Sequence, residues 1–150
     1  MVRIDPYTSC GYAIELLALS QYHRQFRLKS YLEREVFPAL RAEQVRFYCA
    51  DDGRPTAMVS WAWLSEPVEH EVHRTGRALS ANEWRCGDRL FFNDCITPFG
   101  NVREVLRDMT HNVFPENAAT SLRRNQDGSV RRINHWTGVN LRTRAQGVVA

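Results

Sequence analysis

The spacing of apolar residues changes period several times along this chain, and each block predicts an element. Residues 9–20 place Ile14, Leu17 and Ala18 at i, i+3 and i+4, the spacing that lines one helix face. The polar run Gln21-Tyr22-His23-Arg24 breaks that pattern, and a second helix is expected from about Lys29 to Phe37, with Pro38 as its stop. Residues 44–49 and 56–63 read as strands around Asp51-Asp52-Gly53-Arg54, and an Asp-Gly turn between such runs predicts a hairpin. A short charged helix is expected over residues 66–74, and Ser80-x-x-Glu83 has the form of a capping box. The run Arg89-Leu90-Phe91-Phe92-Asn93-Asp94-Cys95-Ile96 is largely apolar and reads as a buried central strand interrupted by one carboxylate, Asp94. After Thr97-Pro98-Phe99-Gly100, an amphipathic helix is expected from Val102 to Phe114, then a hairpin of residues 118–124 and 129–136 around Asp127-Gly128. Beyond Gly138 no apolar period continues, and the tail is expected to be loose. The order α-α-β-β-α-β-α-β-β predicts one α/β (α+β) domain over residues 1–150, a mixed, mostly antiparallel sheet of about five strands flanked by helices.

Composition narrows the class. The 150 residues are 43% hydrophobic and 25% charged, enough for one sizeable core without metal or disulfide staples. No run reaches the length of a membrane span, and the N-terminus lacks a signal-peptide core, so a cytoplasmic protein is expected. The net charge of +3 is uneven, because residues 121–150 hold six arginines against Asp127. That basic third suggests an anionic partner: nucleic acid, phosphate or an acidic protein. Lys29 is the only lysine, a skew that coding bias explains. Cys10, Cys49, Cys86 and Cys95 form no Cys-x-x-Cys pair and no zinc-finger spacing with histidine, so they read as reduced, mostly buried thiols with no metal.

Two residues carry candidate chemistry. His23 sits at a helix break, where an imidazole can project into a cleft and transfer protons, or lie on the surface. Asp94 inside an apolar strand is costly unless paired. It either orients a catalytic histidine or closes a buried salt bridge, with Arg89 the candidate partner. In a regular strand Cys95 points away from Asp94, which disfavours a thiol nucleophile. His70 and His73 share a helix face at i, i+3 but lack a supporting acid or cysteine cluster for metal. No Gly-rich phosphate loop and no Gly-x-Ser-x-Gly elbow is present.

Three segments together resemble the toxin-activating lysine-acyltransferases that fatty-acylate RTX protoxins. They are Ser20-Gln21-Tyr22-His23-Arg24 with Pro38-Ala39-Leu40 and Gln44; Asp52-Gly53-Arg54-Pro55 with Ala57 and Ser60-Trp61-Ala62-x-Leu64; and Trp84-x-x-Gly87-Asp88-Arg89-Leu90-Phe91-Phe92-x-Asp94-x-Ile96-x-Pro98-Phe99-Gly100. The resemblance covers roughly residues 12–136. It implies a GNAT-like fold and transfer of a fatty acyl group from acyl carrier protein to a lysine ε-amine of an RTX-type acceptor protein, with no cofactor beyond the carrier-bound donor. It implies a catalytic pair, which falls on His23 as general base and Asp94 as its orienting carboxylate, with a transient acyl-His23 left open. Ser60 and nearby backbone amides are then candidates for the thioester oxyanion, and Phe91, Phe92, Trp61 and Trp63 for an apolar wall. Homodimerisation is also implied. Departures are Glu35, where many members have an asparagine linked to positioning the histidine, Cys95 in place of a tryptophan, and a shorter C-terminus.

Acyl carrier proteins are acidic, so the basic hairpin with Arg123, Arg124, Arg131 and Arg132 is a docking candidate that makes nucleic acid the weaker partner. Two other functions compete: a non-catalytic module binding an acidic partner, and a GNAT-like enzyme using acyl-coenzyme A.

Overall fold

The structure, a computed structural model, describes residues 3–142 and 144. Five strands, β1 (Val45–Cys49), β2 (Pro55–Leu64), β3 (Arg89–Ile96), β4 (Ala118–Arg124) and β5 (Val130–Thr137), form one open sheet in that order. All neighbours are antiparallel except β3 and β4, which run parallel. Helices α1 (Pro6–Leu19), α2 (Leu28–Tyr31), α3 (Phe37–Arg41) and α4 (Glu66–Thr75) precede β3, and α5 (Val102–Asp108) makes the crossover to β4. The mixed, mostly antiparallel sheet flanked by helices is the architecture the pattern predicts. Among the described residues, no helix is long and apolar enough to cross a membrane.

Three local details depart from the sequence reading. Helix α1 begins at Pro6, ahead of residue 9, because the Asp5 carboxylate accepts the N–H groups of Tyr7 and Thr8 at 3.0 and 2.9 Å and Pro6 needs no donor in the first turn. Pro38 does not stop the second helix. Between α2 and α3 lies a π turn, Leu32–Val36, in which the Phe37 N–H reaches back to the Leu32 carbonyl. Pro38 then sits where the ladder changes spacing, the place at which a missing N–H costs least. The tail is not loose immediately after Gly138: residues 139–142 and 144 are helical. Gly138 permits this docking, since a Cβ there would lie 2.4 Å from the Pro115 carbonyl oxygen. The rest of the expected loose tail lies outside the described residues.

Strand β2 is buried along nearly its whole length and sorts its side chains onto two faces. Ala57, Val59 and Trp61 pack with Leu90, Phe92, Val105 and Met109 on the α5 side. Met58 packs with Leu16, Leu17, Val36 and Ile96 under α1, and Ala62 and Leu64 pack with Phe91 and Val72 toward α4. Each such large side chain, fully buried, contributes roughly 1.5–3 kcal/mol. The Leu16 and Leu17 anchors fix the end of α1 above the centre of the sheet, where the next residues carry the candidate chemistry.

The Ser80-x-x-Glu83 pattern is present as an isolated turn: Glu83 accepts the Ser80 N–H at 2.8 Å and a two-pronged ion pair from Arg77 at 2.7 and 2.8 Å. Arg77 is the main reason the Glu83 carboxyl is held down to about 2, from 4.5. Because the folded state binds fewer protons here than the unfolded one, this contribution is complete above pH 4.5 and lost as pH falls toward 2. Glu83→Gln is therefore expected to lower the thermal midpoint at pH 6 and to flatten its decline between pH 4.5 and 2, measured by circular dichroism.

Candidate active site

Three elements converge on one imidazole. Helix α1 ends with Ser20 as its C-cap, the Ser20 N–H bonding to the Leu16 carbonyl. The chain then tightens into a single 3-10 turn, His23–Gln25, which places His23 inward at 8% exposure. From the sheet comes Asp94. In strict alternation with Leu90 and Phe92 it would face α5. The β2–β3 register instead shifts, with Ser60 opposite Asp94 but Trp61 opposite Phe92, so Asn93 is an extra residue in β3. Such a bulge re-aims the following side chain, and Asp94 turns to the α1 face while Cys95 joins the α5-side core.

The result is a line of three side chains. His23 Nε2 lies 2.9 Å from Asp94 Oδ1, and His23 Nδ1 lies 2.6 Å from Ser20 Oγ. An ionised carboxylate only accepts, so in the neutral ring Nε2 carries the hydrogen and Nδ1 is the basic nitrogen, accepting from the Ser20 hydroxyl. This line can draw a proton from Ser20, or through it, onto an imidazole whose developing charge faces a carboxylate. Asp94 Oδ1 also accepts the Cys95 N–H at 3.0 Å, while the buried Oδ2 has no partner among the described residues. Of the two roles open to Asp94, the structure brings it to His23; Arg89 pairs with Glu66 and Glu69.

The aromatic rings of Tyr22 and Tyr31 meet the imidazole edge-on, at 5.0 and 5.5 Å between centroids. Partial burial lifts the Tyr22 phenol above its ordinary pKa, with Arg124 pulling it down and Asp94 and Glu35 pushing it up.

The other site candidates fall around this line. Ser60 is the register partner of Asp94, fully buried, with a hydroxyl that has no partner among the described residues. Glu35, in the π turn, reaches the bulge and not the imidazole: its carboxylate accepts the Asn93 side-chain N–H at 2.5 Å. Arg123 is exposed on β4, opposite Arg132 across the hairpin. Phe91, Phe92 and Trp61 are core residues and offer no open wall. His73 Nε2 is 3.0 Å from Thr120 Oγ1, and among the described residues no cluster of His, Cys, Asp and Glu could hold a metal ion.

Ser20 was not among the candidates. Its signal is the Ser-x-x-His spacing at a helix end, which puts the two side chains on one side of the turn.

Burial pushes the Cys95 thiol up to about 12, leaving almost no thiolate at neutral pH. Iodoacetamide at pH 7.5 is therefore expected to label the exposed Cys49 and Cys86 at least about tenfold faster than Cys95, read by peptide mass spectrometry. Faster labelling of Cys95 would reopen a thiol nucleophile.

Known proteins resemble this chain over most of its length. Residues 4–137 match the sequence profile of the RTX toxin acyltransferase family. The chain is 34% identical over 102 residues to the lysine-acyltransferase RtxC of Vibrio cholerae, a match spanning 66% of each chain. It is 32% identical over 136 residues to the RTX-I toxin-activating lysine-acyltransferase ApxIC of Actinobacillus pleuropneumoniae, covering 91% of this chain and 77% of that one. It is 27% identical over 135 residues to the protein-lysine palmitoyltransferase CyaC of Bordetella bronchiseptica, covering 89% and 72%. The chain belongs to the RTX toxin acyltransferase family.

Proposed function

We propose that this protein is a protein-lysine acyltransferase that moves a fatty acyl group from the thioester of an acyl carrier protein to a lysine ε-amine on an RTX-type acceptor protein, in the cytoplasm. The observation that carries the reading is the Ser20–His23–Asp94 line. Its setting supports it: the β3–β4 ladder spans only Leu90–Ala119 to Phe92–Ser121 and ends just before the Asn93 bulge. Beyond that point β3 has no ladder partner on its β4 side among the described residues, and the strands part beside Asp94, where the backbone can face the thioester oxygen. This parting of parallel strands is compatible with a GNAT-like arrangement. Ser60 is fully buried with a hydroxyl that meets no partner among the described residues, so the oxyanion role passes to the backbone at this edge.

In the reaction the lysine nitrogen attacks the thioester carbon, the N–C bond forms and the C–S bond breaks. The amine proton passes by way of the Ser20 hydroxyl to His23 Nδ1, Asp94 stabilises the imidazolium, and the departing thiolate takes the proton. The 2.6 Å Ser20 contact also favours a second reading, in which Ser20 Oγ attacks first and the acyl group rests on it as an ester before the lysine takes it. An acyl-His23 has less support, since both ring nitrogens are engaged.

The donor is tested by incubating the purified chain and a purified RTX protoxin with palmitoyl-acyl carrier protein or with palmitoyl-coenzyme A, and mapping acyl-lysine by mass spectrometry. Acylation is expected with the carrier protein only. Transfer from coenzyme A alone, or none from either, contradicts the proposal.

A further inference from the structure

The turn that carries His23 also carries a surface that the proton chemistry leaves unused. From Leu16 to Leu32 the sequence has no acidic residue and three cations, Arg24, Arg27 and Lys29. All three are exposed, and none forms an ion pair with a described residue. Some arginines elsewhere are paired, Arg77 with Glu71 and Glu83, Arg89 with Glu66 and Glu69, and Arg46 with Asp108, whereas Arg123, Arg131 and Arg132 of the hairpin, like the rim cations, form no ion pair with a described residue. Interleaved with the free cations, Leu19, Tyr22, Phe26 and Leu28 each leave between 40% and 49% of their surface open. Large apolar side chains gathered in one exposed patch and rimmed by charge mark an interaction site. The patch is continuous with the catalytic ring: Tyr22 meets both His23 and Phe26 edge-on, and Phe26 stacks on Tyr31 at 5.4 Å.

Charge decides between the partners of an acyl transfer. The acceptor brings a lysine, whose ammonium three unpaired cations repel. The donor, on the reading above, is an acidic protein bearing a thioester with a long alkyl chain, and it matches both halves of the patch. The cations meet its acidic face, and the apolar side chains cover the methylenes nearest the thioester as its carbonyl reaches His23.

We infer that the basic, apolar rim of residues 19–29 around His23 is the docking surface for the acidic acyl-carrier protein. The inference rests on the proposed donor. The rim makes the contact, and the exposed arginines of the β4–β5 hairpin steer the same partner.

The test is binding of fluorescently labelled carrier protein, palmitoylated and unacylated, to the full chain by anisotropy. The substitutions lie on the surface, and circular dichroism checks the fold. Arg24→Glu/Arg27→Glu/Lys29→Glu is expected to weaken palmitoyl-carrier binding at least about tenfold at low salt and to flatten its salt dependence, as loss of charge complementarity requires. Arg123→Glu/Arg131→Glu/Arg132→Glu is expected to weaken it less. Leu28→Ser is expected to reduce the preference for the palmitoylated over the unacylated carrier. Unchanged affinity in the rim triple variant overturns the inference, as does a larger loss in the hairpin variant. Carrier binding that stays constant while binding to anionic phosphatidylglycerol vesicles is lost reassigns the rim to a membrane. Absence of carrier binding by the unmodified chain contradicts the proposed donor itself, a different outcome from loss of the rim's role.

Discussion

His23→Ala is expected to lower acyl transfer by about 10³-fold or more, while the protein keeps its circular dichroism spectrum. The factor corresponds to about 4 kcal/mol of transition-state stabilisation. It combines loss of the base with loss of the group that joins Ser20 to Asp94. Asp94→Asn should approach the same loss for a different reason. The amide oxygen keeps the contacts to Nε2 and to the Cys95 N–H, but the side chain is now neutral and no longer stabilises the imidazolium that forms. Asp94→Glu keeps the charge but lengthens the arm at a bulge whose neighbour, Asn93, is held by Glu35, so partial activity is expected. A His23→Ala variant with normal turnover would remove the mechanism.

Ser20→Ala carries the second large effect. The substitution removes the hydroxyl that faces Nδ1 and leaves the backbone cap to Leu16 intact, so folding should be preserved. Transfer is expected to fall by about 10²-fold or more, whether Ser20 relays the proton or carries the acyl group. Intact-mass spectrometry of the enzyme with palmitoyl-acyl carrier protein and no acceptor separates the two routes. A hydroxylamine-sensitive palmitoyl group on the Ser20 peptide identifies the ester route, and an unmodified enzyme the direct one. If Ser20→Ala retains full activity, Nδ1 works without this hydroxyl and both routes through Ser20 fail.

Much of this was legible in the chain because the relevant signals are local. The Asp51–Arg54 turn, with Gly53 at φ 85°, sits between the expected strands. A carboxylate inside Leu90–Ile96 had to find a partner, and the partner is the histidine at the first helix break. What escaped is set by tertiary pairing. The Asn93 bulge exists only as a mismatch between β2 and β3, so period-two counting puts Asp94 on the wrong face. Glu35 stands where the resemblance puts a residue linked to positioning His23, but the π turn carries it to Asn93. Pro38 read as a stop because no sequence rule announces a π turn ahead of it. Ser60, an oxyanion candidate by resemblance, is closed in because β2 has a neighbouring strand on either side, a pairing that only the sheet reveals. The apolar residues that stay open, Tyr22 and Phe26 among them, lie on the polar-looking break, where no periodicity marks them.

The most direct test of the central claim is the rate of lysine palmitoylation of a purified RTX protoxin by the wild-type chain and by Asp94→Asn, side by side, with palmitoyl-acyl carrier protein as donor. Asp94→Asn changes one buried atom, keeps the side-chain volume and leaves the proposed docking rim untouched. The account predicts acyl-lysine from the wild type, a rate lower by at least about 10²-fold in the variant, and unchanged carrier binding in both. Equal rates would contradict it, because the Ser20–His23–Asp94 line could not then be the catalytic device.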